Sequence, residues 1–162
     1  YNLQHGVDSE YITWLTIGSQ PTDATTLIPF LKDAEEHLKF KYKNITTDAG
    51  YESEENYVFL EENGQLSYIK PANYEISKTR KYRNDIGKIE HMEYDVELDV
   101  YICQNGKRLM TDHVRHSKSK TGYVSEKTIY KCENCGGCPY KVLDGILNGV
   151  ATAQPPQIKI FL

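Results

Sequence analysis

The sequence predicts an α/β protein: a partial mixed sheet with helices, followed by a β-rich segment organised around cysteine. Three observations predict it. Short β-branched and aromatic runs alternate with helical-period segments through residue 70. All four cysteines, Cys103, Cys132, Cys135 and Cys138, lie in the second half. The charge also changes sign: residues 1–66 carry 4 Lys/Arg against 12 Asp/Glu, and residues 67–162 carry 15 against 11. The chain thus divides into a first part over residues 1–72, a basic cysteine-bearing insertion over 73–141 and an atypical tail over 142–162.

The elements follow in order. Asn2 to Val7 and Tyr11 to Ile17 read as strands, and Asp8-Ser9-Glu10 between them as a turn, so the two form a hairpin. Pro21 interrupts the pattern, and Thr22 or Asp23 is placed to cap a helix. Leu27, Ile28, Leu31, Ala34 and Leu38 then recur at helical spacing. Asn44 to Thr47 is a short β-prone run ending in Asp48-Ala49-Gly50. Ser53 caps a second helix with Glu54 and Glu55 in its first turn, and Asn63-Gly64 stops it. Leu66 to Lys70 is another strand, ended by Pro71. An antiparallel hairpin followed by parallel strands joined by helices makes a mixed sheet.

Composition bounds the function. With 39% hydrophobic and 26% charged residues the chain has the make-up of a folded protein, which argues against wholesale disorder. No apolar run approaches the ~18 residues of a membrane span, so no membrane partner is expected. The opening Tyr1-Asn2-Leu3-Gln4 has neither the basic start nor the apolar core of a secretory leader, and no Met; the expectation is a sequence beginning partway through a longer protein.

Asp48 is the first candidate functional residue. In sheets with parallel strands, chemistry gathers at the carboxyl ends of the strands, and a carboxylate there suits a metal or acid–base role. The competing reading is an Asx turn or an acid at a helix N-terminus. Asp8 fits a hairpin turn, Asp23 a helix cap, and a lone His5 a structural role.

The insertion carries two basic stretches with interleaved tyrosines. Lys70, Lys78, Arg80, Lys81, Arg83 and Lys88 surround Tyr74 and Tyr82; Arg115, Lys118 and Lys120 belong to a run from Lys107 to Lys131 that holds Tyr123 and Tyr130. Cations neutralise phosphates and tyrosines stack on bases, so nucleic acid is the expected partner; the alternative is a solvated loop surface.

Cys132, Cys135 and Cys138 form a Cys-x-x-Cys-x-x-Cys run, and 28 residues separate Cys103 from it. Four thiolates suit tetrahedral zinc, and strand-like Tyr101-Ile102 and Thr128-Ile129-Tyr130 can bring the two parts together as a zinc-ribbon-like hairpin. An iron–sulfur cluster is the rival, but its ferredoxin run needs a fourth Cys before Pro, whereas Pro139 follows the third. Adventitious disulfides, or no metal, stay open. Cysteines clustered in this way favour a reducing compartment.

Several blocks together resemble the DDE transposases of bacterial insertion sequences. They are Tyr1 to Asp8, Asp23 with Leu27-Ile28-Pro29-Phe30-Leu31, Thr47-Asp48-Ala49-Gly50-Tyr51-Glu52-Ser53-Glu54-Glu55-Asn56-Tyr57, Ser67-Tyr68-Ile69-Lys70-Pro71, Met92-Glu93-Tyr94-Asp95 and the cysteine run. The resemblance is to the subgroup with a cysteine-bearing insertion and covers about residues 1–141. It implies a ribonuclease-H-like core in a bacterial cytoplasm, with two Asp and one Glu holding two magnesium ions for phosphodiester cleavage and strand transfer. Asp48 matches the second Asp. Asp8 does not match the first, and no helix after the insertion supplies the Glu. The tail from Val142 also departs from the family. The expectation is therefore an incomplete, inactive transposase core that is marginally stable or self-associates through unpaired strand edges. The alternative is a zinc-containing nucleic-acid-binding or structural module without catalysis.

Overall fold

The computed structural model describes residues 1–85, 87–138 and 150–153. They fall into two compact units, one over Tyr1–Tyr74 and one from Glu75 onward. The architecture is mixed α/β, with helices concentrated in the first unit and strands dominating the second.

In the first unit, β1 (Asn2–Asp8) and β2 (Tyr11–Gly18) pair antiparallel, with Leu3 opposite Ile17. Ser9 and Glu10 both take positive φ, 50° and 73°, in a two-residue turn whose twist matches that of the strands. A 3₁₀ turn over Asp23–Thr25 leads into α1 (Leu27–Leu38). Then come β3 (Asn44–Thr47), a 3₁₀ turn over Ala49–Tyr51, α2 (Glu54–Glu62) and β4 (Leu66–Ile69). β3 and β4 run parallel, and α2 is the crossover between them. As the sequence predicts, the Ser53 hydroxyl caps α2 by accepting from Asn56 N at 3.2 Å. Gly64, at φ 67°, follows the helix end, where a side chain would be strained. Leu27, Ile45, Leu60 and Ile69 form the core.

Two expectations change here. Neither Thr22 nor Asp23 caps a helix with its side chain; Thr22 makes no such bond and the Asp23 carboxylate turns toward other partners. The hairpin and the parallel pair also do not share one mixed sheet: each is a separate two-stranded sheet. A cleft of about 410 Å³ is lined by β1 and β3, with Leu27, Phe30, Leu31 and Ala34 of α1 also contributing. Backbone hydrogen bonds need N···O distances near 3 Å, and no such ladder links the two sheets. The hairpin is held by side chains instead. Trp14 Nε1 donates to Asp33 Oδ2 at 2.7 Å, and the indole stacks on His37 at 4.7 Å.

Two single-turn helices, α3 (Tyr74–Ser77) and α4 (Arg80–Arg83), come next along the chain. The second unit is then an antiparallel meander of β5 (Glu93–Asp95), β6 (Val100–Ile102), β7 (Arg108–Lys118), β8 (Val124–Cys132) and β9 (Val150–Ala153), in that order across the sheet. The strand-like segments at Tyr101 and Thr128–Tyr130 lie in β6 and β8, with β7 between them. Met92, Leu109 and Tyr130 are its core, with Tyr101, Cys103 and Cys132 packed against them. Asp99, at φ 51°, ties the meander together: its carboxylate accepts from Tyr94 Oη at 2.7 Å, Tyr130 Oη at 2.8 Å and Thr111 Oγ1 at 3.1 Å. β9 lies in the tail, where the sequence pattern predicts no element. The rest of the tail, including the departure after Lys141, lies outside the described residues. Among the described residues no helix is long and apolar enough to cross a membrane.

Candidate functional site

Asp48 leaves the carboxyl end of β3 and is exposed. Its side chain accepts from Gly50 N at 2.9 Å, which caps the following 3₁₀ turn. The Asx turn and the strand-end position therefore coexist, and the second carboxylate oxygen is not used by that cap.

A second carboxylate stands beside it. A Cβ at Gly50 would lie 3.0 Å from Asp23 Oδ2 and 3.2 Å from Asp48 Oδ1, so glycine is what lets both acids approach this corner. Asp23 Oδ1 accepts from Asn2 Nδ2 at 2.7 Å and Gln4 Nε2 at 3.1 Å, both from β1. Tyr51 donates its hydroxyl to Gln4 Oε1. Burial raises the Tyr51 phenol pKa, and the charges of Asp23 and Asp48 raise it further. The fully buried Asn56 on α2 clasps both flanking turns: its Nδ2 donates to Tyr51 O at 2.7 Å and Ala24 O at 3.0 Å. Gln4, Asp23 and Asn56 were not visible as site residues in sequence, because each reaches the corner only through tertiary contacts spanning 19 to 47 positions or from a helix. His5 lines the cleft between β1 and β3.

The four cysteines lie on turns and strand ends of the second unit. Cys103 opens the turn after β6, where Gly106 N donates to its carbonyl at 2.8 Å and its own N–H donates to Lys107 O at 2.9 Å. Cys132 ends β8 opposite Leu109. Cys135 and Cys138 sit on the next turn, with Cys138 N donating to Cys135 O at 3.4 Å. Asn105 Nδ2 reaches Cys138 Sγ at 3.7 Å, linking the two turns. All four are free thiols. The Cys135 thiol is pushed up to about 11 by burial, then by a hydrogen bond with Cys132 and by the charges of Cys132, Cys138 and Cys103. Yet among the described residues no three His, Cys, Asp or Glu side chains close to metal-holding geometry. Four thiols are the donor chemistry that zinc takes.

The basic residues occupy several places. Lys70 follows β4 and lies 5.2 Å from the Tyr74 ring. Lys78 pairs with Glu75 at 3.3 Å. Arg80, Lys81 and Arg83 crowd the single turn of α4. Arg115 and Lys118 are exposed on β7, and Lys120 is exposed in the loop after it. No family model, curated protein or solved structure matches the chain.

Proposed function

We propose that the chain carries part of the catalytic core of a DDE-type transposase, with Asp48 as a magnesium ligand and DNA as substrate. The observation that carries this reading is the exposed Asp48 carboxylate at the end of a parallel strand, next to a glycine that admits a second acid, Asp23. Hard oxygen ligands suit magnesium, and paired carboxylates would offset the charge of a divalent ion. The ribonuclease-H-like core that this reading requires is supported by the order hairpin, helix, strand, helix, strand. Only one of the three carboxylates of the DDE set is matched, so the chain alone is expected to be inactive.

Two measurements test this. Incubation of the purified chain with duplex DNA and magnesium should give no cleavage or strand transfer; robust activity abolished by Asp48→Asn would mean that the remaining ligands have been misassigned. Manganese titration should broaden the Gly50 amide NMR signal in the wild type and not in Asp48→Asn. Equal broadening in both would remove Asp48 from the metal site.

The second reading is a zinc-containing nucleic-acid-binding module, and the placement of Cys103 on the turn after β6 and of Cys135 and Cys138 on the turn after β8, linked by Asn105, favours it. Cys103, Cys132, Cys135 and Cys138 would then hold one zinc ion, which pins the β6–β7 turn to the end of β8. Metal analysis should find one zinc per chain, lost in Cys135→Ser. Iron, or no metal in protein prepared under reducing, chelator-free conditions, would exclude it.

A further inference from the structure

Beyond the base of the meander, β7 and β8 continue as a free two-stranded ribbon. β6 pairs with β7 only over Arg108–Met110, and β9 pairs with β8 only over Thr128–Lys131. From Val114 to Lys118, and from Val124 to Lys127, each strand has only the other as a neighbour among the described residues. Register sorts the side chains. Arg115 stands opposite Lys127 and Ser117 opposite Ser125, all on one face, with the two serine hydroxyls 2.7 Å apart. The other face carries Lys118 and the pair of His116 with Glu126 at 3.8 Å.

The Arg115 face sets two cations directly opposite each other, an arrangement that destabilises a strand pair unless an anion relieves it. Among the described residues no carboxylate pairs with Arg115, Lys118, Lys120 or Lys127. Residues 113–127 hold four Lys/Arg and a single acid, Glu126. The dimensions also fit a particular partner. Two strands about 4.8 Å apart enter a major groove about 12 Å wide, and five residues reach about 17 Å, past its depth of about 8.5 Å.

We propose that the β7–β8 ribbon enters the major groove of duplex DNA, with the face bearing Arg115, Ser117, Ser125 and Lys127 toward the base edges and with Lys118 and Lys120 on phosphates. This rests on the nucleic-acid reading above and adds the element, the face and the groove. Arginine and lysine donate to guanine O6 and N7, and hydroxyls donate to or accept from several base edges.

The test is fluorescence anisotropy of a labelled duplex with the full chain at several salt concentrations. Arg115→Gln combined with Lys127→Gln should weaken binding about tenfold or more and lower the salt slope by about 1.8, near 0.9 per lost cation. Glu126→Gln should strengthen binding, and Lys39→Gln, in the first unit, should leave it unchanged. Methyl green, which occupies the major groove, should displace the protein, and distamycin, a minor-groove ligand, should not. Wild-type binding that the double variant retains in full overturns the ribbon assignment while the nucleic-acid reading stands. Displacement by distamycin alone overturns the groove, and equal affinity for single strands overturns the duplex. If the wild type binds no nucleic acid, the nucleic-acid reading falls, and this inference falls with it.

Discussion

At the scale of single residues, burial and hydrogen bonding decide the largest effects. Leu60 is 0% exposed at the centre of the first core, so Leu60→Ala should cost about 2–5 kcal/mol in denaturant unfolding of that unit. Asp99 and its tyrosines give the second unit a two-sided pH dependence. Hydrogen bonds from Tyr94 and then Tyr130 lower the Asp99 pKa below 3.8, so its contribution holds above that value and is lost as pH falls through the folded pKa. The Tyr130 phenol is raised above 10.0, by burial first and then by its bond to Asp99. Its contribution is complete below pH 10 and is lost as pH rises through the folded value. Unfolding midpoints should therefore fall in strong acid and again in strong base, and Asp99→Ala should flatten both limbs. Tyr57, pushed up to about 12 by burial and the Glu52 carboxylate, should also ionise late in a 295 nm titration. Such residues show what sequence conceals. Asp23 has the local setting of a helix cap, and only the fold turns it to Asn2 and Gln4.

At the scale of elements, local rules govern where tertiary demands do not compete. α2 begins at a Ser-Glu-Glu signature and stops before a glycine because capping and left-handed backbone are short-range matters. Ser53→Ala should lower the stability of the first unit by about 1 kcal/mol, measured by urea unfolding, with the fold unchanged. The hairpin turn at Ser9-Glu10 follows the same logic. α1 departs from it: an amphipathic face defines the helix, yet its N-cap Thr26 makes no side-chain cap bond. Packing of Leu27 and Ala34 supplies its support. The strands β7 and β9 are weakly marked in the sequence. β7 is polar and exposed along most of its length, so it lacks the alternating burial that marks a strand in sequence.

At the scale of the whole molecule, exposure predicts association. The outer face of the hairpin shows Leu3, Val7, Leu15 and Ile17, each more than half exposed, and β1 borders an open cleft. An apolar face beside an unpaired edge favours intermolecular pairing. Sedimentation velocity should show mass rising with protein concentration, and Leu15→Ser with Ile17→Lys should suppress it. A concentration-independent monomer would refute this. The two units have separate cores, so if the four cysteines hold zinc, chelation should lower the stability of the cysteine-bearing unit alone.

The sequence by itself determined the α/β class, the hairpin, α2 and its cap, the strand end at Asp48 and the cysteine spacing. Each depends on propensity, periodicity or interactions within a few residues. Tertiary structure alone decided that the hairpin and the parallel pair form separate sheets, and that Asp23 meets Asp48 across Gly50. It also decided that Arg115 faces Lys127 on a free ribbon. These are matters of register and of contacts between residues distant in the chain. They follow from which surfaces bury one another, and no local pattern encodes that choice.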